Sequence, residues 1–216
     1  MTTPKTTGPL RAERLRARSA ARRESERRQL RDAILTTASE QLIAHGYEKF
    51  SLREVAERTG YAPTTIYRCF RDRDDLLANV LGEAFARFAR ALRTAADGHR
   101  TGRESLLAQA GAYIDFVVAN PMLYRVMFMD RSDIGLHDNV SLKDDPAFSV
   151  LIEGVGLLKA EGRLGSHTVL DGALSLWATV HGFAALLVAT PILTAVDVKA
   201  LTWRASDALI RGMSES

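Results

Sequence analysis

The chain has 216 residues, 46% hydrophobic and 25% charged, with a formal net charge of +3. That is the bulk of one ordinary globular domain, or of a small domain sharing a core with a larger one, and it excludes a disordered chain. A single cysteine, Cys69, excludes a disulfide framework and a cysteine-based zinc cluster, so nothing points to an oxidising compartment and a cytoplasmic location is expected. Few aromatics and six prolines, with Ala, Leu, Arg and Glu recurring at helical spacing, predict an all-α fold.

The net charge hides an asymmetry. Residues 1–100 carry 20 Lys and Arg against 13 Asp and Glu, whereas residues 101–216 carry 9 against 13. Residues 1–31 alone hold 10 basic and 3 acidic side chains, which accounts for the whole excess. Arginine supplies 24 of the 29 basic residues, and its planar fork suits phosphate oxygens. Residues 1–24 are therefore expected to form a disordered, basic electrostatic arm. No apolar core follows its basic residues before Leu30, and Glu13, Glu24 and Glu26 argue against a transit peptide, so no targeting segment is expected there.

In chain order, Leu30, Ile34, Ala38 and Leu42 predict a first helix from about Glu26 to His45, ended at Gly46. Ser51-Leu52-Arg53-Glu54 has the spacing of a capping box and opens a short second helix that Gly60 terminates. Tyr61 and Ala62 then lead into Pro63, a favoured first helical residue, and a third helix runs to Phe70. Two short helices joined by a tight glycine turn after a longer one form a helix-turn-helix. A long amphipathic fourth helix, from Arg73 to about Ala96, follows Arg71-Asp72 and connects this small unit to the remainder. Further helices are expected at about 103–119, 121–129, 146–161, 168–189 and 198–213. The 130–145 connection is the least defined.

The stretch 172–196 carries no formal charge and is long enough to cross a bilayer. Ser175, Thr179, His181, Gly182, Thr190 and Pro191 interrupt it, so a core helix of a dimer is expected instead, with no membrane partner.

The chemistry concentrates in the helix-turn-helix. A second helix of about two turns can enter the major groove, about 12 Å wide, and present its N-terminal side chains to base edges. With Ile66 and Phe70 expected in the core, the outward set is Pro63, Thr64, Thr65, Tyr67 and Arg68. Thr and Pro can touch thymine methyls, hydroxyls can grip phosphates, and Arg53 can reach a guanine edge. Ser51 joins the expected DNA-binding set.

Residues 30–81 resemble the DNA-binding domain of the TetR/AcrR family of bacterial transcriptional regulators. The resemblance is carried by Phe50-Ser51-Leu52-Arg53-Glu54-Val55-Ala56, by the eleven residues from Gly60 to Phe70, and by Arg73-Asp74-Asp75-Leu76-Leu77. It implies DNA contacts at Thr65 and Tyr67, a base contact at Arg53, and a phosphate held by Arg73. Ala62 stands where a Ser or Thr cap is usual, and Cys69 replaces a frequent His. The segment from Leu176 to Gly182 resembles a Trp-x-x-x-His-Gly pattern of some members. The family further implies a C-terminal helical bundle that binds a small molecule and pairs with a second copy through its last two helices.

Taken alone, each apolar or aromatic residue of that half has the core as its default place. If a ligand pocket exists, as the family implies, Tyr113, Phe116, Tyr124, Phe128, Phe148, Trp177 and His181 are its candidates, with Met122 and Met127 beside them. His181 is equally readable as a hydrogen-bonded interface histidine. Cys69 reads as packing at a helix end in preference to a redox sensor.

No nucleophile elbow, phosphate-binding glycine loop or His-Glu-x-x-His pair occurs, and the histidines lie at least fourteen residues apart. Neither an enzyme nor a metal or organic cofactor is expected. The fold class expected is all-α: an N-terminal three-helix DNA-binding domain (25–72) joined by a long helix to a ligand-binding and dimerisation bundle (73–216). The expected function is a homodimeric repressor released from a palindromic, double-stranded operator by a small-molecule effector of unknown identity. The alternative is a sequence-independent, architectural nucleic-acid-binding protein.

Overall fold

A computed structural model of the chain describes residues 8–129, 145–190 and 197–215. Among these, nine helices and no strands occur: α1 (Gly8–His45), α2 (Leu52–Thr59), α3 (Pro63–Cys69), α4 (Arg73–Ala96), α5 (Gly102–Ala119), α6 (Pro121–Phe128), α7 (Pro146–Ala160), α8 (Val169–Ala189) and α9 (Val198–Ser214). The all-α expectation holds. The chain divides into two compact units, 1–80 and 81–216.

In the first unit, Ile34, Leu35, Ala38 and Leu42 of α1, Val55 and Ala56 of α2, Ile66 of α3, Phe70, and Leu76, Leu77 and Val80 of α4 are all buried. The unit ends at Val80 and not before Arg73, because the first turns of α4 belong to its core. Asn79 seals this assignment, accepting from Arg31 Nη2 at 2.5 Å.

The start of α1 departs from expectation. The helix begins at Gly8, not near Glu26, so residues 8–24 are helical where a disordered arm was expected; residues 1–7 lie outside the described residues. The segment shows no apolar stripe, which is why periodicity missed it, but it is built from Ala, Arg, Glu and Leu, the strongest helix formers. Exposed pairs such as Arg22–Glu26 at 2.7 Å add the usual small support between neighbouring turns.

The Ser51–Glu54 capping box also does not form. Ser51 occupies the N-cap position with extended backbone, but its side chain makes no cap hydrogen bond. Glu54 is drawn away by Gln41, whose buried Nε2 donates to Glu54 Oε2 at 2.5 Å. A true box opens α8, where Thr168 and Asp171 exchange side-chain and backbone bonds at 3.1 Å.

In the second unit, α5 is packed by α7, α8 and α9. Its residues Leu106 and Leu107 join Phe148, Val155, Leu158, Leu164, Ala173, Leu176, Ile210 and Met213 in one core cluster. Gly154 permits the close approach of α5 and α7: a Cβ there would lie 2.7 Å from Leu106 Cδ2 and 3.0 Å from Gln109 Nε2. α8 has the length and hydropathy of a membrane span. Its face Gly172, Ala173, Leu176, Val180 and Ala184 is buried within the unit, while Leu170 and Leu186 of the same helix are exposed.

Candidate nucleic-acid interface and ligand cavity

The turn between α2 and α3 is set by Gly60, whose φ of +72° ends α2 in the left-handed region that glycine adopts without strain. Pro63 then starts α3, and Ala62 at its N-cap supplies no side-chain bond. α3 is held from within by Ile66 and by Phe70 at its C-cap, which are 1% and 2% exposed. Arg31 of α1 locks that C-terminal end: its guanidinium lies 4.4 Å from the Phe70 ring centroid, and Nη1 donates to the Cys69 carbonyl at 3.0 Å.

With Ile66 and Phe70 inward, the opposite face of α3 points to solvent. Pro63, Thr64, Tyr67 and Arg68 are exposed and Thr65 is half-buried, with Tyr67 56% accessible. An aromatic ring that exposed on a seven-residue helix gains little from the core, yet it offers a phenol and a flat apolar face to a partner. Arg53 sits exposed on α2, paired with Glu57 at 2.9 Å. Such a pair contributes little in water and can be exchanged for a phosphate or a base edge. Ser51 is half-buried at the α2 N-cap.

The guanidinium of Arg73, to which the resemblance assigns a phosphate, is folded onto the α1–α2 connection. Nε donates to the Phe50 carbonyl at 3.2 Å, Nη1 to Tyr47 Oη at 3.2 Å and Nη2 to the Tyr47 carbonyl at 2.6 Å. The same group stacks 4.4 Å from the Tyr47 ring centroid. Arg73 thus clamps the start of α4 to that connection, while its side chain stays 35% exposed with Nη1 3.6 Å from Asp74 Oδ1. Arg31, one of the basic residues behind the N-terminal charge excess, is likewise engaged internally.

The exposed basic surface lies on α1. Across residues 13–28, Arg14, Arg16, Arg18, Arg22, Arg23, Arg27 and Arg28 outnumber Glu13, Glu24 and Glu26, and all are exposed.

The second unit contains a small apolar cavity of about 60 Å³ with an open mouth. Tyr113, Phe128, Phe148 and Trp177 line it as expected, joined by Phe88, Leu106, Leu151 and Val180. Phe116, Tyr124 and His181 do not line it, and Met122 is exposed on α6. Phe116 and Tyr124 are absorbed in core packing, 7% and 0% exposed.

His181 stands behind the lining. Its Nδ1 lies 2.9 Å from Tyr113 Oη and 3.0 Å from Tyr124 Oη. Burial raises both phenols, Tyr113 well above its ordinary value and Tyr124 to about 12, so each keeps its proton. Burial also lowers the imidazole below its ordinary value, which favours the neutral ring. A neutral ring accepting a hydrogen bond from a phenol at Nδ1 satisfies both observations.

Sequence reasoning missed Gln109 and Ser206, two polar residues on the cavity wall that are 4% and 1% exposed. Polar side chains on helices read as surface by default, and only packing reveals them inside. Among the described residues, no group of three His, Cys, Asp or Glu side chains stands close enough to hold a metal ion.

Comparison with known proteins agrees with both units. Residues 34–80 match the family "Bacterial regulatory proteins, tetR family", and residues 106–209 match "Tetracyclin repressor-like, C-terminal domain". A protein of unknown function from Rhodococcus sp. RHA1 is similar at 29% identity, covering 86% of this chain and 95% of that one, with a TM-score of 0.75. SCO4313, assigned as a regulatory protein, is similar at 25% identity over 88% and 98% of the two chains, TM-score 0.69. A bacterial regulatory protein in the tetR family from Rhodococcus RHA1 shares the fold at 18% identity over 86% and 96%, TM-score 0.61.

Proposed function

Because the chain belongs to the TetR family of DNA-binding bacterial regulators, we propose that it acts in the cytoplasm as a homodimeric repressor that leaves its operator when a small molecule occupies the second unit. The observation that carries the DNA-binding half is the outward face of α3, where Pro63, Thr64, Thr65, Tyr67 and Arg68 surround a helix anchored by Ile66 and Phe70. Two such helices, held by a dimer formed through α8 and α9, read half-sites one or more helical turns apart, so the operator is a near-palindrome. Thr65 and Tyr67 dock the helix, Arg53 and Arg68 reach base edges or phosphates, and Ser51 contributes a hydroxyl at the rim.

The aromatic cavity supports the effector half of the reading. An effector that binds better to the conformer with the wrong half-site spacing releases DNA in proportion to that difference, about 1–3 kcal/mol. α4 begins in the first unit and ends in the second, which makes it the element through which such a preference is transmitted.

One observation favours a second reading, a sequence-independent coating protein: the exposed arginines of α1 need no particular base sequence. Selecting bound fragments from random or genomic DNA decides between them. A regulator returns one two-fold-symmetric site, bound about 10³-fold or more above random DNA at equal salt. Recovery of unrelated fragments supports the coating protein.

A further inference from the structure

From Glu13 to Gln29 every residue of α1 is exposed, so no side of the helix there is covered by the rest of its unit, and burial begins only at Ile34. Between Gly8 and Leu30 this bare rod is about 33 Å long at about 1.5 Å per residue. Arg31 fixes where it leaves the unit. Bonded to the Cys69 carbonyl and stacked on Phe70, it places the base of the rod beside the C-terminal end of α3. The stretch that matches the family begins at residue 34, so the rod lies outside it.

A helix that is polar on all sides gains nothing from packing, and its charges decide what it can do. Arg22 and Arg27 pair with Glu26 and Glu24 at 2.7 and 3.3 Å, but Arg14, Arg16, Arg18, Arg23 and Arg28 have no carboxylate partner among the described residues. Arg14, Arg18 and Arg22 follow one another at one-turn spacing on one side, and Arg16, Arg23 and Arg27 lie on the opposite side. Like charges one turn apart destabilise a free helix, so the rows mark an unmet demand for anions. An anionic membrane would also require an apolar face, and Leu15 is the sole large apolar residue between 13 and 29. Duplex DNA requires only charge, because its phosphates repeat along each strand and suit the guanidinium fork.

We propose that the bare rod of α1 lies against the phosphates of duplex DNA outside the half-site that α3 reads. Length and place carry this: the rod starts beside α3 and is about as long as one turn of DNA, about 34 Å, whereas α3 has only seven residues. Basic rows on both sides let either side meet a strand. The inference rests on the reading of α3 as the docking helix, and it deepens that reading by naming a second DNA contact and where it falls.

The test compares the full chain with a variant carrying Arg14→Gln, Arg16→Gln, Arg18→Gln, Arg22→Gln and Arg23→Gln. Gln keeps a similar helix propensity, and circular dichroism confirms equal helix content. The site recovered by fragment selection is trimmed to its two half-sites, then extended at both ends by about 5, 10 and 15 base pairs of arbitrary sequence, to bracket one helical turn. Wild-type affinity at fixed salt is expected to rise about three- to tenfold as the flanks reach about 10 base pairs and to level off there, with a steeper salt dependence than on the trimmed site. The variant is expected to bind the trimmed site as the wild type does and to gain little from the flanks.

Equal gains from the flanks in both proteins, or no gain in either, overturns the inference and leaves the operator reading standing. A variant weakened on the trimmed site by the same factor as on the extended one places the arginines within the half-sites and overturns it too. If selection returns no single site, random duplexes of about three helical turns replace it. A smaller salt slope for the variant there supports the grip of the rod on DNA and defeats the operator reading, whereas equal slopes overturn both. Tighter binding of a poly-glutamate peptide than of any duplex at equal salt overturns the inference in favour of an acidic protein partner.

Discussion

The two units handle polar groups in opposite ways. In the first, Arg31, Arg73 and Glu54 turn inward and are matched to the Cys69, Phe50 and Tyr47 carbonyls and to Asn79 and Gln41. The groups left over stand on the outer face of α3. Gln41 Oε1 is the exception, buried without a partner. In the second unit the outer surface carries ordinary pairs, such as Lys199–Asp115 at 2.6 Å, while Gln109 Oε1 and Ser206 Oγ are sealed inside without a partner among the described residues. Unspent hydrogen bonding on a convex face suits a groove, whereas the cavity of the second unit is lined mainly by apolar and aromatic side chains.

The sharpest way to break the comparison is to remove the outward groups of α3. Tyr67→Ala and Thr65→Ala should each weaken operator binding about 10- to 100-fold, the range of 1–3 kcal/mol for a specific contact, with unchanged helix content. Fluorescence anisotropy with a labelled operator measures this. Unchanged affinity in both would mean that α3 does not dock.

Arg73→Ala probes the inward groups. Losing three hydrogen bonds and the stack on Tyr47 should lower stability by about 1–3 kcal/mol, seen as an earlier urea transition by circular dichroism. The slope of log affinity against log salt should stay the same. If instead stability holds and the slope falls by about one contact, Arg73 binds phosphate as the resemblance implied and the clamp is incidental.

The exposed arginines of α1 should act more weakly and without sequence preference. Replacing Arg14, Arg16, Arg18, Arg22 and Arg23 with Gln should reduce affinity for operator and random DNA alike and flatten the salt dependence, with little change in stability because these side chains are solvated. An unchanged slope would show that the basic helix takes no part in binding.

These predictions track what the sequence made legible. α4 was bounded at Arg73 and Ala96 because an acidic first turn and a long apolar stripe marked both its start and its face. The outward set on α3 followed from Ile66 and Phe70, whose spacing leaves a single solvent side. The start of α1 was hidden because propensity without periodicity gives no amphipathic signal. Competition hid the rest: Glu54 had a better partner than the Ser51 backbone, and Arg73 a better one than solvent. The cavity's aromatic candidates rest on the family resemblance, and residue type cannot separate Trp177 on the wall from Phe116 behind it. Gln109 and Ser206 were invisible because burial of a polar residue is decided by helices distant in sequence.

The smallest effect lies in the second unit, at His181. Burial holds its imidazole below the ordinary value near 6.5, and Nδ1 faces two phenols that keep their protons, so the folded protein favours the neutral ring. As pH falls through the ordinary value the unfolded chain binds a proton there before the folded one does, and acid therefore favours unfolding. The contribution of His181 is fully present above about pH 6.5 and is lost as pH drops below it, until the lowered folded value is passed. His181→Gln retains an acceptor for the phenols but cannot titrate, so the wild type should lose more stability than the variant between about pH 7 and about pH 5.5. Thermal unfolding at matched ionic strength reads the difference. If acid stabilises the wild type relative to the variant, the ring carries a proton in the fold, and the pair of phenols must then be accepting from it.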